Sequence, residues 1–223
     1  VIMIKNFFNE LKLLVKNNSI TIILSFLLYY LPLAIVFTLV FNRILNSEEV
    51  NKTFFIIFLV VYNILESFFM FSLVIFAKYS DTKLRLKYFF GFLYTKLYHY
   101  LVTITLLFAL VLFGLLFFIA PGIFISMFIP FSLFSVFYLD KSGYDAVKSG
   151  YYIGVSNFFA LLFFFLITNI VPFVNLFFIK QIFINRHFLI EMRLFFFLII
   201  FLIGVFELII YTLLATLFKV LKK

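Results

Sequence analysis

The chain has 223 residues, 66% of them apolar and 12% charged, with a net charge of +9 and no cysteine; its mean hydropathy is +1.25. A soluble domain is about 45–50% apolar and about 25% charged, so a water-soluble globule is excluded, because one core of this size cannot hide so much apolar surface. The absence of cysteine excludes disulfides, thiol nucleophiles and Cys-ligated metals, and the Lys/Arg excess reads as the loop charge of a membrane protein with no nucleic-acid partner.

Residues 1–19 come first. Phe7, Leu11, Leu14 and Val15 share one helical face there, with Lys5, Asn9, Lys12 and Lys16 largely opposite. That spacing predicts an amphipathic helix lying in the headgroup plane, with Ser19 as a cap for the first span. Residues 20–218 then carry six apolar stretches long enough to cross a hydrocarbon core of about 30 Å. They are Ile20–Phe41, Phe54–Ala77, Tyr100–Ala120, Ile123–Leu139, Phe158–Ile179 and Leu194–Phe218. They lack period-two alternation and are too long for strands, so the fold class is all-α, a polytopic helical bundle forming a single transmembrane domain. Residues 219–223 form a basic tail. The forty Phe, with no Trp, read as AT-rich coding bias combined with lipid-facing filler.

Spans three and four are separated only by Pro121-Gly122. One uninterrupted helix over 100–139 would be about 60 Å long, twice the hydrocarbon thickness, so Pro121 and Gly122 are expected to form a tight hairpin, with Gly122 supplying an unusual backbone angle. The alternative is a re-entrant pair, which the short fourth span and the Pro130 at its middle would suit. Pro172 is a further hinge in span five.

Six spans place both termini on one side. That side holds 13 of the 18 Lys and Arg residues, which puts the termini in the cytoplasm of a bacterial inner membrane. The run Lys78, Lys83, Arg85 and Lys87 beside the membrane is a contact for anionic lipid headgroups, at roughly 1 kcal/mol per cation; the topology signal alone would also produce it.

No phosphate loop, dinucleotide fingerprint, zinc-protease helix or nucleophile elbow is present. His99 and His187 fall near span ends on opposite sides, so they cannot share a metal. No enzymatic activity, metal or cofactor is expected. The remaining chemistry lies at bilayer depth. Asn63 and Glu66 share a face of span two, Asn169 lies in span five, and Glu207 in span six shares a stripe with Gly204, Tyr211 and Ala215. An ionisable group at that depth costs about 2.5–3.5 kcal/mol on insertion scales and therefore faces the bundle or a water cavity. Glu66, Asn169 and Glu207 sit at nearly equal depth. They form either a midplane transport site or interhelical glue.

The chain resembles the six-helix bacterial inner-membrane family that includes YciC-type proteins and the membrane domain found beside some glycerophosphoryl diester phosphodiesterases. The residues carrying the resemblance are Pro121-Gly122-Ile123, Pro130, Asp140, Asp145-Ala146-Val147-Lys148-Ser149, Asn157-Phe158-Phe159 and Leu84-Arg85-Leu86-Lys87-Tyr88-Phe89, about a third of the chain. The Trp often seen near the Ser and Asn positions is missing, and with no hydrolase barrel the phosphodiesterase activity does not carry over. The resemblance implies a polytopic membrane protein with a membrane or envelope role. Two functional classes stay open: a structural or accessory, lipid-associated component that partners other membrane proteins, and a small transporter or permease subunit.

Overall fold

The structure, a computed structural model, describes residues 2–46, 52–117, 119–167 and 193–222, and these contain helices and no strand. The helices are α1 (Ile2–Asn46), α2 (Lys52–Ser72), α3 (Val74–Lys78), α4 (Leu86–Phe117), α5 (Ile119–Ser126), α6 (Ile129–Tyr138), α7 (Gly143–Ser156), α8 (Phe158–Ile167) and α9 (Arg193–Lys222). Among the described residues five stretches are long and apolar enough to cross a membrane: Met3–Phe41, Ile56–Lys78, Leu86–Phe117, Ile119–Tyr138 and Phe197–Lys222. The bent pair α7 and α8, which meet at 114°, would be a sixth. In α4 only 28% of the most apolar window is buried, and Leu112, Phe113, Leu116 and Phe117 are exposed. A helix apolar all round that leaves most of that surface uncovered is suited to lipid, not water.

α1 has 45 residues and is about 68 Å long at 1.5 Å per residue. Pro32 lies inside it without ending it. Leu14, Asn18, Ile22, Phe26, Tyr30, Ala34, Phe37 and Phe41 are all buried, a single stripe at three- and four-residue spacing. Residues 5–18 thus belong to the same continuous helix as the first span. They continue the first span, and the stripe that packs its membrane part extends through Leu14 and Asn18 into its N-terminal part.

The break after α4 also differs from the sequence expectation. Pro121 and Gly122 lie in the first turn and a half of α5, where proline costs no helical hydrogen bond. Gly122 is not among the residues of positive φ. The chain does reverse: a Cβ on Gly114 would stand 2.9 Å from both N and Cα of Gly122, whereas eight residues of straight helix would separate the two by about 12 Å. The glycine is needed for close approach of α4 and α5, not for its backbone angle. Pro130 likewise sits at the start of α6, after a break at Met127 and Phe128, and not in mid-helix.

α7 packs antiparallel along α6. Ala146, Gly150 and Gly154 are buried at four-residue spacing; Gly150 lies against the backbone of Ser132 and Gly154 against Phe128. Small residues at this spacing let helix backbones approach closely. The core around them is phenylalanine: Phe131 and Phe134 meet Phe164 of α8 and Phe218 of α9 at ring separations of 4.7–5.9 Å. Many Phe side chains are thus packing residues of the bundle, besides those that face outward.

Candidate functional site

α1, α2 and α9 converge on one buried polar cluster. Glu66 of α2 and Glu207 of α9 are both buried and lie close enough to interact electrostatically. Glu66 Oε1 accepts from Tyr30 of α1 and from Tyr62, each at 3.1 Å. The two hydroxyls lie 3.4 Å apart, and Tyr30 Oη is 3.4 Å from the Ile200 carbonyl of α9.

Local sequence explains how each group arrives. Tyr62 lies one helical turn before Glu66, the i, i+4 relation that places side chains together. Tyr30 stacks on Phe26 at 4.8 Å and 12°, which fixes its ring, and its far face rests on Gly204, where a Cβ would collide with the phenol. Tyr211, one turn beyond Glu207, is buried edge-on to Phe71 at 5.2 Å. Glu66 precedes Lys78 by 12 residues and Glu207 precedes Lys219 by 12, about 18 Å of helix in each case. Both lysines belong to polar networks at one end of the bundle, so the two acids share a level.

Of the residues expected at one level, Glu66 and Glu207 are both buried where α1, α2 and α9 meet, and Gly204, on the stripe of Glu207, lies against Tyr30. Asn63 does not join them. It is exposed, and its Nδ2 donates to Leu59 O at 2.7 Å in its own helix; the face that meets α1 and α9 runs through Tyr62 and Glu66. Asn169 and Pro172 lie outside the described residues. The sequence reading missed Tyr30 and Tyr62. The usable signal was Tyr62 at i−4 from an intramembrane acid.

The second polar assembly surrounds the loop between α3 and α4. Lys219 of α9 is buried and pairs with Glu10 at 2.7 Å and Asp81 at 3.8 Å. It also donates to Ser80 Oγ at 2.8 Å, and Ser80 donates to Glu10 at 2.9 Å. Asn17 Nδ2 donates to the Ser80 carbonyl at 2.8 Å. Asn18 bonds three backbone groups: its Nδ2 donates to Tyr79 O and Thr82 O at 3.2 and 3.0 Å, and its Oδ1 accepts from Leu84 N at 2.8 Å. On the other flank Asp140, with φ +58°, pairs with Lys78 and Lys96, both at 2.8 Å. Partial burial works against its charge, but the hydrogen bonds and fields of the two ammonium groups outweigh that and hold the carboxyl below its ordinary range.

This divides the expected lipid-contact residues. Lys78 is engaged by Asp140, whereas Lys83, Arg85 and Lys87 are exposed and make no ion pair among the described residues. No group of His, Asp and Glu able to hold a metal occurs among the described residues. No known protein family, curated protein or solved structure matches the chain.

Proposed function

We propose that the protein is an integral component of a bacterial inner membrane, with six spans, both termini in the cytoplasm and a structural or accessory, lipid-associated role without enzymatic activity. The resemblance to the six-helix inner-membrane family agrees with this reading, as do the uncovered apolar surfaces of the long helices. The bent α7–α8 pair is counted as the sixth span, and the reversal between α4 and α5 is the tight connection between spans three and four.

The observation that carries the reading is the closure of the Glu66–Glu207 cluster. Both phenols bond Glu66, and Tyr30 also reaches the Ile200 carbonyl of α9, so the cluster acts as a polar clamp holding three helices. A second reading, a proton-coupled permease subunit, rests on the same pair, because two buried carboxyls at one level are the groups a proton path through the bundle would use. Glu66→Gln and Glu207→Gln separate the two. Glutamine keeps hydrogen bonding and removes titration, so the clamp predicts normal assembly and an unchanged cellular phenotype. Normal assembly with a lost proton-dependent phenotype selects the permease. Resistance of the wild-type chain to extraction from membranes by alkaline carbonate tests the membrane assignment itself.

A further inference from the structure

Residues Lys83-Leu84-Arg85-Leu86-Lys87 alternate charged and apolar. Lys83, Arg85 and Lys87 are exposed, Leu84 is buried and Leu86 half-buried. The first three residues precede α4 in non-helical backbone, where Leu84 is turned inward while Lys83 and Arg85 on either side of it are exposed. Lys87 comes next in the first turn of α4. Asn18 fixes this register through its three bonds to Tyr79, Thr82 and Leu84 backbone groups.

The neighbouring charges leave these three cations in excess. Glu10 and Asp81 pair with Lys219, and Asp140 pairs with Lys78 and Lys96. No acidic residue occupies the first turn of α4, so the positive end of that helix dipole adds to the same field. Lys12 and Lys16, on the turns of α1 that precede and adjoin Asn18, are exposed as well. Tyr88, Tyr94 and Tyr98 project from the next turns of α4, all exposed, as tyrosines do at the level of lipid headgroups.

We propose that Lys83, Arg85 and Lys87, held outward by the Asn18-clamped loop, form a docking surface for anionic phospholipid headgroups of the cytoplasmic leaflet. The proposal rests on the membrane reading and on the cytoplasmic placement of this loop. It narrows the contact to three residues and leaves Lys78 to Asp140. Three cations facing one way at a membrane surface meet phosphate oxygens of neighbouring headgroups, each cation adding attraction that salt screens.

The test titrates phosphatidylglycerol, with phosphatidylcholine as reference, into the detergent-purified full chain and reads bound lipid by native mass spectrometry. The wild type should prefer phosphatidylglycerol. Lys83→Gln, Arg85→Gln and Lys87→Gln should each weaken that preference by about fivefold, and together by roughly a hundredfold. The charge-conserving triple variant K83R/R85K/K87R should retain it, which separates charge from a change in loop shape. Lys78→Gln should also retain it. A wild type without preference, or a triple glutamine variant that keeps it, overturns the proposal. Carbonate extraction of the wild type reads the underlying membrane assignment separately: a chain that stays in the membrane but ignores lipid charge sinks only the docking surface.

Discussion

The ring of Tyr30 in α1 lies directly on the backbone of Gly204 in α9, and only a residue without Cβ leaves the phenol room to reach Glu66 Oε1 at 3.1 Å. The two residues are 174 positions apart, yet each is required by the other. Gly204→Ala should push the ring off its site and cost about 1–3 kcal/mol, the usual range for overpacking. Tyr30→Phe, which removes only the hydroxyl, should cost less, about 1 kcal/mol. Thermal unfolding midpoints of the two variants in detergent give the order; equal stability of Gly204→Ala and wild type would contradict the packing described.

Glu66 accepts hydrogen bonds from two phenols. Glu66→Leu removes the acceptor both hydroxyls share and leaves them only the longer 3.4 Å contacts to each other and to Ile200 O, and a weakly satisfied buried donor costs up to about 1–3 kcal/mol. Glu66→Gln keeps an acceptor at the same place and should lie within about 1 kcal/mol of wild type. The double variant Glu66→Leu/Tyr62→Phe should recover part of the loss, since it removes one weakly satisfied donor. A double variant as unstable as the sum of the singles would argue against this bonding.

Asp140 joins Lys78 and Lys96, and its carboxyl is held below the ordinary aspartate range. Its folded pKa is depressed, so its contribution is complete above the unfolded value of about 3.9. That contribution is lost as pH falls through the lower folded value. Asp140→Asn should therefore lower the unfolding midpoint at neutral pH, and the gap to wild type should close in that acid window. Half of the Asp140 side chain is exposed, so the gap is small, no more than about 1 kcal/mol. A gap that persists unchanged well below that window would assign the effect to packing, not charge.

Two helical glycines should respond with opposite sign. A Cβ on Gly91 meets nothing within 4 Å, so Gly91→Ala should stabilise by about 0.4–1 kcal/mol through the unfolded chain. On Gly150 the same atom would stand 2.5 Å from Ser132 N and 2.7 Å from its Cα, and backbone cannot step aside as a flexible side chain would. Gly150→Ala should destabilise by loosening α7 from α6. Unfolding midpoints of the pair check the sign directly.

The hydrophobic runs made most helices legible, and the burial of Glu66 and Glu207 was legible because charge is rare and costly inside apolar stretches. Their tyrosine partners were not, because 24% of the chain is aromatic and a tyrosine that donates to an acid looks like any other in a row of rings. Asn63 misled because positions three apart share a face only loosely, and the contact side of α2 passes through Tyr62. Helix breaks were misplaced at Pro121 and Pro130 because proline is also a good first-turn residue, so it marks a start as readily as an interruption. The Glu10–Lys219 pair was invisible for another reason: it joins the two ends of the sequence, and no local pattern reports a contact across 209 positions.

The central claim, an integral bundle whose loop at 79–87 faces the cytoplasm, is tested most directly by single cysteines in this naturally cysteine-free chain. Arg43→Cys, near the far end of α1, should react with a membrane-impermeant maleimide in intact cells, and Lys83→Cys should react only after permeabilisation; labelling of Lys83→Cys in intact cells with Arg43→Cys silent would contradict the account.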